Sequence, residues 1–555
     1  MSNLERIKKV YVRLTKSKAS KYPTLQIVKG IREGKKVKQK VVASLGVIKQ
    51  LRDLENLRKL AEHLIHRLEQ EGLPPVDKIT LKNLMHQCTI YDGFSTVVDR
   101  LIQLSGFGTI LKKAQGKKTF DVTGIITLLL AQRFHAPGSK LRAYERQMEY
   151  GSEGFDLQHF YRAMDALLPL TEEFQMQAFE TAQSFFSEPA ECFFFDVTTL
   201  YFESIEQDEL KEFGFSKDQK YHSVQVVLAL VVNSQGIPLA YEVFKGNLAE
   251  TRTFLPVLEA LKARVAIKNV TIVCDRGMAS RDNISALQKN EFNFVIATKL
   301  RSISKKEKIN DLGKYTSLPH QENVPDGEKV LFYTMVHPQY EDTLLIATYS
   351  PHRAKKDRED RERLLEKLRE KLGNNPTESS VKKVISNGGY KKYTNVKSGS
   401  SITLNEQAIE AEVAWDGFHG IAVSNKANLS VTTALSRYKD LWRVEEAFRV
   451  VKCTLKTRPV FHWKPDRIRA HVLICFVNLF LERFLEQLLK TKEMPLTPDR
   501  IRHALTEIHT MHFVDNETRR HGCMPSSLPD DGIKIFKALD LPMERNAGLI
   551  AERCV

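Results

Sequence analysis

The sequence predicts an α/β fold with one central sheet, and three observations support this prediction. The strand ECFFFD is followed by two long apolar strands, YHSVQVVLALVV and IPLAYEVF, which NSQG joins as a hairpin. Helical patterns at TRTFLPVLEALKARV and RDNISALQKN then alternate with the buried-type strands NVTIVCD and FNFVIAT. The element order is therefore βββαβαβ, which is typical of a mixed sheet that begins with a hairpin.

Other patterns flank and interrupt this core. Residues 10–46 predict three short strands in which Lys and Arg alternate with apolar residues. Leucines recur at helical spacing over 49–72, which indicates either a short helix that forms a dimer or a helix that only packs on the rest of the chain. Residues 83–188 have mainly helical patterns. At 300–412 basic loops, strands and one highly charged helix predict a β-rich insertion, after which the core resumes with GFHGIAVSN.

The positive charge of the chain is concentrated at its beginning. The 555 residues have a formal net charge of +16, and residues 1–50 hold 14 Lys or Arg against two acids, Glu5 and Glu33. Such a cluster indicates a surface that binds a polyanion, with a solvated flexible arm as the alternative. The seven cysteines include no C-x-x-C pair, which argues against a zinc site or a disulfide framework and fits a cytoplasmic protein. No apolar run approaches the roughly 18 residues of a membrane span.

Two aspartates stand where apolar strands are predicted to end. Asp196 closes CFFFD, and Asp275 closes NVTIVCD. A hairpin-first sheet of this order matches the ribonuclease H fold, in which the first and fourth strands are neighbours. The two carboxylates would therefore meet at the centre of the sheet. The alternative is that each aspartate only caps a helix or closes a turn.

A third carboxylate lies in a seven-residue pattern. Six residues separate Tyr438 from Glu445, and six more separate Glu445 from Lys452. A continuous helix would present all three side chains on one face, about two turns apart. The alternative is that Glu445 is a helix-surface acid like its neighbour Glu446. Trp442, one turn after Tyr438, either packs in the core or stacks on an unpaired base.

Three carboxylates in this arrangement point to phosphodiester chemistry. Two Mg²⁺ ions about 3.5–4 Å apart can stabilise both the attacking and the leaving oxygen, and Mg²⁺ takes hard oxygen ligands. Asp196 is the candidate ligand of both ions, with Asp275 and Glu445 as its partners. Water, and later a DNA 3′-hydroxyl, would be the nucleophile. In GNLAET, Asn247 and Glu250 predict a capping box that stabilises the next helix and orders the rim of the site.

In these motifs the chain resembles DDE transposases of bacterial insertion sequences, in the superfamily named for insertion sequence four, whose signature is Y-x2-R-x3-E-x6-K. FFFDVTTLYFES, GNLAET, CDRGMAS, the β-rich insertion and YKDLWRVEEAFRVVK follow one another in the family's order. The opening YVRLTKSKASKYPTLQIVKG also resembles one branch of these enzymes. The resemblance covers nearly the whole chain. It implies that Asp196, Asp275 and Glu445 are the catalytic, metal-binding residues, with two Mg²⁺ ions that Mn²⁺ is able to replace.

The resemblance also implies residues that bind DNA phosphates, with one departure. Tyr438 and Lys452 would hold phosphates near the cut end, but the signature arginine is Leu441 in this chain. Arg443 lies about 200° round the helix from that position. Arg443 is therefore a poor geometric substitute, and Arg437, one turn before Leu441 on the same face, is the candidate replacement.

The expected function is that of a DNA transposase in a bacterial cytoplasm. It would bind the terminal inverted repeats of a transposon, cleave the strands and transfer them to target DNA by a cut-and-paste route, as a homodimer on double-stranded DNA with no membrane partner. A metal-dependent nuclease without strand transfer and a catalytically inactive DNA-binding repressor are the alternatives.

The predicted regions are 1–48, basic and β-rich; 49–75, a helical linker; 76–189, a helical DNA-binding domain; 190–299 and 413–486, the two parts of a ribonuclease H-like core; 300–412, the β-rich insertion; and 487–555, a helical C-terminal region.

Overall fold

A computed structural model gives the structure of the protein and describes residues 10–16, 22–33, 36–47, 61, 84–186, 192–214, 222–264, 270–303, 307–322, 324–372, 388–396, 402–457, 460, 462–516, 521–546 and 548–550. The strands are β1 (Val10–Thr15), β2 (Thr24–Glu33), β3 (Lys36–Val47), β4 (Leu84–Ile90), β5 (Cys192–Tyr201), β6 (Gln225–Asn233), β7 (Pro238–Lys245), β8 (Thr271–Cys274), β9 (Asn293–Thr298), β10 (Thr316–Ser317), β11 (Leu331–Val336), β12 (Thr343–Tyr349), β13 (Thr394–Val396), β14 (Ile402–Leu404), β15 (Phe418–Ser424), β16 (Thr510–Asp515), β17 (His521–Pro525) and β18 (Gly548–Ile550). The α-helices are α1 (Asp92–Leu104), α2 (Phe107–Gln115), α3 (Val122–His135), α4 (Lys140–Glu145), α5 (Leu157–Leu167), α6 (Thr171–Phe186), α7 (Glu250–Arg264), α8 (Arg281–Lys289), α9 (Leu300–Ile303), α10 (Pro351–Leu372), α11 (Gly388–Lys391), α12 (Glu406–Val413), α13 (Val431–Lys439), α14 (Trp442–Arg449), α15 (Pro465–Thr491), α16 (Pro498–Glu507) and α17 (Asp530–Ala538).

The chain divides into two compact units, Met1–Thr171 with Ala470–Val555, and Glu172–Arg469. The first unit contains the antiparallel sheet β1-β2-β3, which confirms the three strands predicted near the amino terminus. Alternation separates the faces, since Leu25 and Ile27 are buried in an apolar cluster, whereas Arg13 donates hydrogen bonds to Gln26 (3.0 Å) and Gln39 (2.6 Å). The leucine helix predicted over 49–72 lies outside the described residues, apart from Ala61.

The first unit also corrects the prediction that 76–189 and 487–555 are simply helical. Helices α1–α5, α16 and α17 form there, but β4 pairs antiparallel with β16 in a four-stranded sheet of order β18-β17-β16-β4. These strands contain polar residues on both faces, so their sequences do not alternate clearly enough to predict strands. In the part of the chain that the structure describes, every helix is too short or too polar to span a bilayer.

The second unit is built on a nine-stranded mixed sheet of order β10-β11-β12-β15-β9-β8-β5-β6-β7. The predicted hairpin is β6 and β7, and its turn includes Gly236 at φ 77°, a left-handed conformation that suits glycine. Strand β5 pairs antiparallel with β6 and parallel with β8, which in turn pairs parallel with β9. The predicted element order and the side-by-side placement of the first and fourth strands are therefore confirmed.

The segment 300–412 extends this sheet. Strands β10, β11 and β12 form its outer edge, and β12 joins the core through β15. A separate apolar cluster, which includes Leu365 and Tyr393, lies between α10 and the β13–β14 hairpin. The prediction of one helix in this segment is wrong, because the short helices α9, α11 and α12 accompany the long α10. Helices of four to eight residues give too few turns for a periodic pattern to be recognised.

Candidate active site

Asp196 lies within β5. Three phenylalanines precede it and are all buried, which fixes the strand in the centre of the sheet. The strand does not end at Asp196 as predicted, because its backbone pairing with β6 continues through Asp196↔Leu230 to Tyr201. The half-buried carboxylate accepts a hydrogen bond from the Val197 amide (2.7 Å). Asp196 is therefore held by a strand that has neighbours on both sides.

Asp275 directly follows β8 and is exposed. The parallel pairing of β5 with β8 runs up to Phe195↔Cys274, so Asp196 and Asp275 are the next residues on the two adjacent strands. Both carboxylates act on the buried thiol of Cys274: burial raises its pKa well above the usual range, and Asp275 and Asp196 raise it further. The structure thus brings the two predicted aspartates to neighbouring positions.

The continuous helix predicted over Tyr438, Glu445 and Lys452 is interrupted. Helix α13 ends at Lys439, α14 begins at Trp442, and a turn separates them. Helix α13 packs on β8 and β9, whereas α14 packs on β5 and β6. The break lets the chain follow two parts of a twisted sheet. A π-helical turn, Val450–Thr454, follows α14. The seven-residue spacing therefore does not correspond to one regular helix face.

Tyr438, near the end of α13, contacts the second aspartate. Its hydroxyl donates to Asp275 Oδ1 at 3.4 Å. Burial raises the pKa of Tyr438, and the neighbouring Asp275 raises it further, so the phenol keeps its proton. The ring of His419 lies 5.0 Å from the ring of Tyr438. Burial lowers the pKa of His419 to about 4, so this imidazole is neutral at pH 7.

Glu445 lies in the first turn of α14 and is exposed, and Lys452 is half-buried in the π-helical turn. Within the described ranges, no three His, Cys, Asp or Glu side chains are close enough together to hold a metal ion. Asp196 and Asp275 offer carboxylate oxygens, the donors that a hard divalent cation prefers. Glu445 does not close a three-carboxylate cluster with them.

The other predicted DNA-binding residues have different surroundings. Trp442 is 50% exposed, and the guanidinium of Arg443 lies 5.1 Å from its ring centroid. Arg443 also lies 3.5 Å from Asp440. Arg437 donates a hydrogen bond to Thr271 at the start of β8 (2.7 Å), so its guanidinium contacts the protein itself. Leu441 is 7% exposed.

Sequence reasoning missed residues that stand close to Asp275. His419 is the second residue of β15, Arg276 directly follows Asp275, and Arg353 lies in the first turn of α10. Both arginines help to lower the pKa of His419, and Asp275 opposes them. Of these residues, only Arg276 had a signal in the sequence, because it is a cation directly after a strand-ending aspartate. The approach of Arg353 depends on strand pairings across a long insertion.

The capping box predicted in GNLAET is wrong. Asn247 lies in an exposed turn, in which the Leu248 amide donates to the Lys245 carbonyl (3.0 Å). Helix α7 begins only at Glu250, so Asn247 precedes the helix by too many residues to cap it. Glu250 instead lies beside the turn after Asp275, since a Cβ on Gly277 would be 3.4 Å from its Oε2.

A family model described as a transposase DDE domain matches residues 187–481, which is more than half of the chain. The chain belongs to this family. A model of the N-terminal domain of IS1634 family transposases matches residues 12–76. The protein is therefore a DDE transposase of the bacterial insertion-sequence type, an enzyme class that cleaves DNA and transfers its strands, as the motifs predicted.

Two solved structures show how far this DDE transposase resembles known complexes. A piggyBac transposase synaptic complex with hairpin DNA shares 10% identity over 75% of this chain and 78% of that chain, with a TM-score of 0.36. A Mos1 transposase paired-end complex with the left transposon end shares 9% identity over 32% of this chain and 59% of that chain, with a TM-score of 0.15. The chain matches none of the curated proteins with which it was compared.

Proposed function

We propose that this transposase moves its element by a cut-and-paste route: it binds the terminal inverted repeats, cleaves the strands and joins them to target DNA. The proposal rests on the parallel pairing of β5 with β8, which ends one residue before Asp196 and Asp275. That pairing supports the two aspartates as neighbouring catalytic carboxylates. Glu445 is the proposed third carboxylate, since its helix packs on β5 and β6.

We interpret the strands β7-β6-β5-β8-β9 as a ribonuclease H-like core. Their order and their mixture of antiparallel and parallel pairs support this interpretation. The core then consists of 190–299 and 413–486 and is interrupted by 300–412. The basic region 1–48 and the helical region 76–189 are the proposed DNA-binding regions, while 49–75 is a linker and 487–555 is a C-terminal region.

Asp196, Asp275 and Glu445 are the residues that would hold two Mg²⁺ ions, for which Mn²⁺ is able to substitute. Bound ions supply positive charge to the attacking and leaving oxygens of the phosphodiester. Asp196 is held by β5 and by the Val197 amide, so its position is fixed before any ligand arrives. The Tyr438 hydroxyl stays protonated and donates a hydrogen bond to Asp275. This hydrogen bond orients the Asp275 carboxylate. Glu445, exposed on α14, must approach the aspartates to complete the set.

The remaining residues of the site have proposed roles in holding DNA. Lys452 and Tyr438 are proposed to bind phosphates near the cut end, and exposed Trp442 offers a surface for an unpaired base. The guanidinium of Arg443 lies against the Trp442 ring and would bind DNA beside it. Arg437 would reach a phosphate only after leaving Thr271. We expect the enzyme to act as a homodimer on paired double-stranded ends, in a bacterial cytoplasm.

An excision assay tests this proposal. A marked DNA segment, bounded by the gene's own flanking sequences, is placed in cells that make the wild type, Asp196→Asn, Asp275→Asn or Glu445→Gln. We expect excision only with the wild type, because each variant removes one carboxylate charge from the proposed metal site. Binding of the purified variants to the flanking DNA should persist. Glu446→Gln, which changes the adjacent acid, is the matched control and should excise normally.

Three other outcomes would contradict parts of the proposal. Cleavage without joining by the wild type would indicate a nuclease. DNA binding without excision or cleavage by any protein would indicate a repressor. If the three variants also lose DNA binding, the acids are structural rather than catalytic.

A further inference from the structure

Four strands of the second unit, β8, β9, β12 and β15, each have one end at the edge of the sheet beside Asp275. Strands β8 and β9 are parallel, so both end at this edge. Strand β15 is antiparallel to β9 and to β12. Its first residues therefore lie beside the last residues of those strands, as the pairs Gly420↔Thr298 and Phe418↔Tyr349 show. The residues that follow β8, β9 and β12 thus share one edge with Asp275.

Each of these three strands is followed by an exposed cation. Arg276 comes two residues after the end of β8, Lys299 directly follows β9, and Arg353 lies in the first turn of α10, which begins soon after β12. The side chain of Arg353 is 50% exposed. We call Arg276, Lys299 and Arg353 the basic row.

The first turn of α10, which carries Arg353, is held against Gly417, the residue before β15. The Ser350 amide donates to the Gly417 carbonyl (3.0 Å), and the Gly417 amide donates to Asp357 (3.0 Å). The guanidinium of Arg353 lies 3.8 Å from the same Asp357 carboxylate. Gly417 has φ 82°, and a Cβ there would lie 2.8 Å from the Cβ of Ala354. The first turn of α10 therefore lies directly against the start of β15.

The basic row stands close to the proposed catalytic residues. Arg353 and Arg276 both act on the neutral His419, whose ring lies 5.0 Å from that of Tyr438. The Tyr438 hydroxyl lies 3.4 Å from Asp275. Two members of the basic row, Arg276 and Arg353, therefore lie near the carboxylate at which a scissile phosphate would be held.

Other cations nearby are already paired with acids. Arg301 and Lys392 both form ion pairs with Glu412, and Arg361 pairs with Asp416. These contacts hold the 300–412 segment together. Arg353 also has an acidic neighbour, Asp357 at 3.8 Å, but it stands at the edge that Asp275 shares.

The chain has no positive charge at the position of the signature arginine. Leu441 occupies that position, and it is 7% exposed in the turn between α13 and α14. An apolar side chain there cannot bind a phosphate. Because phosphate contacts provide much of the affinity of proteins for DNA, another cation beside the carboxylates is expected.

We propose that the basic row binds backbone phosphates of the DNA strand held beside Asp275, and thereby replaces the arginine that the family signature has at position 441. This inference rests on the proposed function. It assigns to the segment 300–412 a direct part in holding DNA, through Arg353. Arginine suits this role because its planar guanidinium can bind two phosphate oxygens at once.

The test measures DNA binding and excision by the full-length protein. The triple variant Arg276→Gln, Lys299→Gln, Arg353→Gln is compared with a triple control in which Arg358, Lys367 and Arg369, exposed further along α10, become glutamine. Binding of a labelled duplex with the gene's flanking sequence is followed by anisotropy over a range of salt concentrations. We expect the salt slope of the triple variant to fall by about 0.9 for each phosphate that the protein no longer neutralises. Its excision should fall as well, whereas the control should match the wild type.

The possible results separate this inference from the proposed function. Wild-type excision together with an unchanged salt slope for the triple variant would overturn the role of the basic row alone. An equal loss in the control would also overturn it, because any exposed cations would then suffice. If the wild type neither binds nor excises the DNA, both proposals fail. Thermal unfolding of each variant checks that a lower slope does not reflect a failure to fold.

Discussion

At the scale of single residues, Leu441 shows how the chain departs from its family signature. The side chain is 7% exposed, and its amide donates to the Tyr438 carbonyl at 3.2 Å in the turn between two helices. The position has become part of the core that supports α13 and α14. Arginine here would have to bury a charge or displace the turn.

Leu441→Arg is therefore expected to destabilise the protein rather than to restore a phosphate contact. Burial of an unpaired cation should lower the free energy of unfolding by on the order of 2–4 kcal/mol. Denaturant unfolding measures this loss, and Leu441→Met, which keeps the apolar volume, should cost less than about 1.5 kcal/mol. A Leu441→Arg variant with wild-type stability and tighter DNA binding would show that the position still accepts the signature cation.

At the scale of elements, the break between α13 and α14 decides what each half of the signature contacts. Helix α13 brings Tyr438 to Asp275 after β8, whereas α14 extends Glu445 over β5 and β6. No glycine or proline marks the break, since Asp440 and Leu441 form the turn. The seven-residue spacing predicted a helical segment but not its division, because the division follows from packing on two parts of one sheet.

A second element-scale feature is the close crossing of three segments at Gly246. Its amide donates to the Leu210 carbonyl (3.1 Å), and the buried Gln225 side chain donates to its carbonyl (2.9 Å). A Cβ at position 246 would lie 1.9 Å from the Gln225 carbonyl oxygen and 2.6 Å from that of Glu212. Because these are backbone atoms, the segments would have to move apart.

Gly246→Ala should therefore lower the free energy of unfolding by about 1–3 kcal/mol, the usual cost of overpacking. Gly327→Ala is the control, because no atom lies within 4 Å of its added Cβ. Chemical unfolding of the two variants measures the difference. Equal stability would mean that the crossing is looser than these distances indicate.

At the scale of the whole molecule, charge is distributed unevenly along the chain. Residues 1–50 contribute +12 of a net charge of +16, from 14 basic and two acidic residues. Within β1–β3 and the residue that follows β1, Lys16 and Lys40 are exposed. A polyanion such as DNA would be attracted to this part of the chain before any base is read.

Changing Lys16 and Lys40 to glutamine is expected to weaken DNA binding at all sequences to a similar degree. The salt slope should fall by about 0.9 for each lysine that contacts a phosphate. The control changes Lys490 and Lys537, which are exposed in the C-terminal region. A filter-binding titration with a random-sequence duplex compares the two. An unchanged slope would mean that the amino-terminal charge is a solvated arm.

The sequence predicted the core of the second unit well because its strands are continuous apolar runs, as in β5, β6 and β8. The same runs indicated Asp196 and Asp275. The pairing of β4 with β16 was missed, since its partners are far apart in the chain and each strand includes polar residues on both faces. Arg353 and His419 were missed for a related reason. They approach Asp275 only through the pairing of β12, β15 and β9, which no local pattern reveals.

The three proposed catalytic carboxylates belong to backbone segments that should differ in how easily they open. Asp196 belongs to the hydrogen-bonded ladder between β5 and β6, and β5 lies inside a nine-stranded sheet. Its amide should exchange with solvent deuterium only when the whole sheet opens. Asp275 follows the last residue of a strand, and Glu445 lies in the first turn of a helix, and the ends of elements generally open more easily than the interior of a sheet. We therefore expect Asp196 to keep its position, and Asp275 and Glu445 to be the carboxylates that move, when a ligand binds at the proposed site.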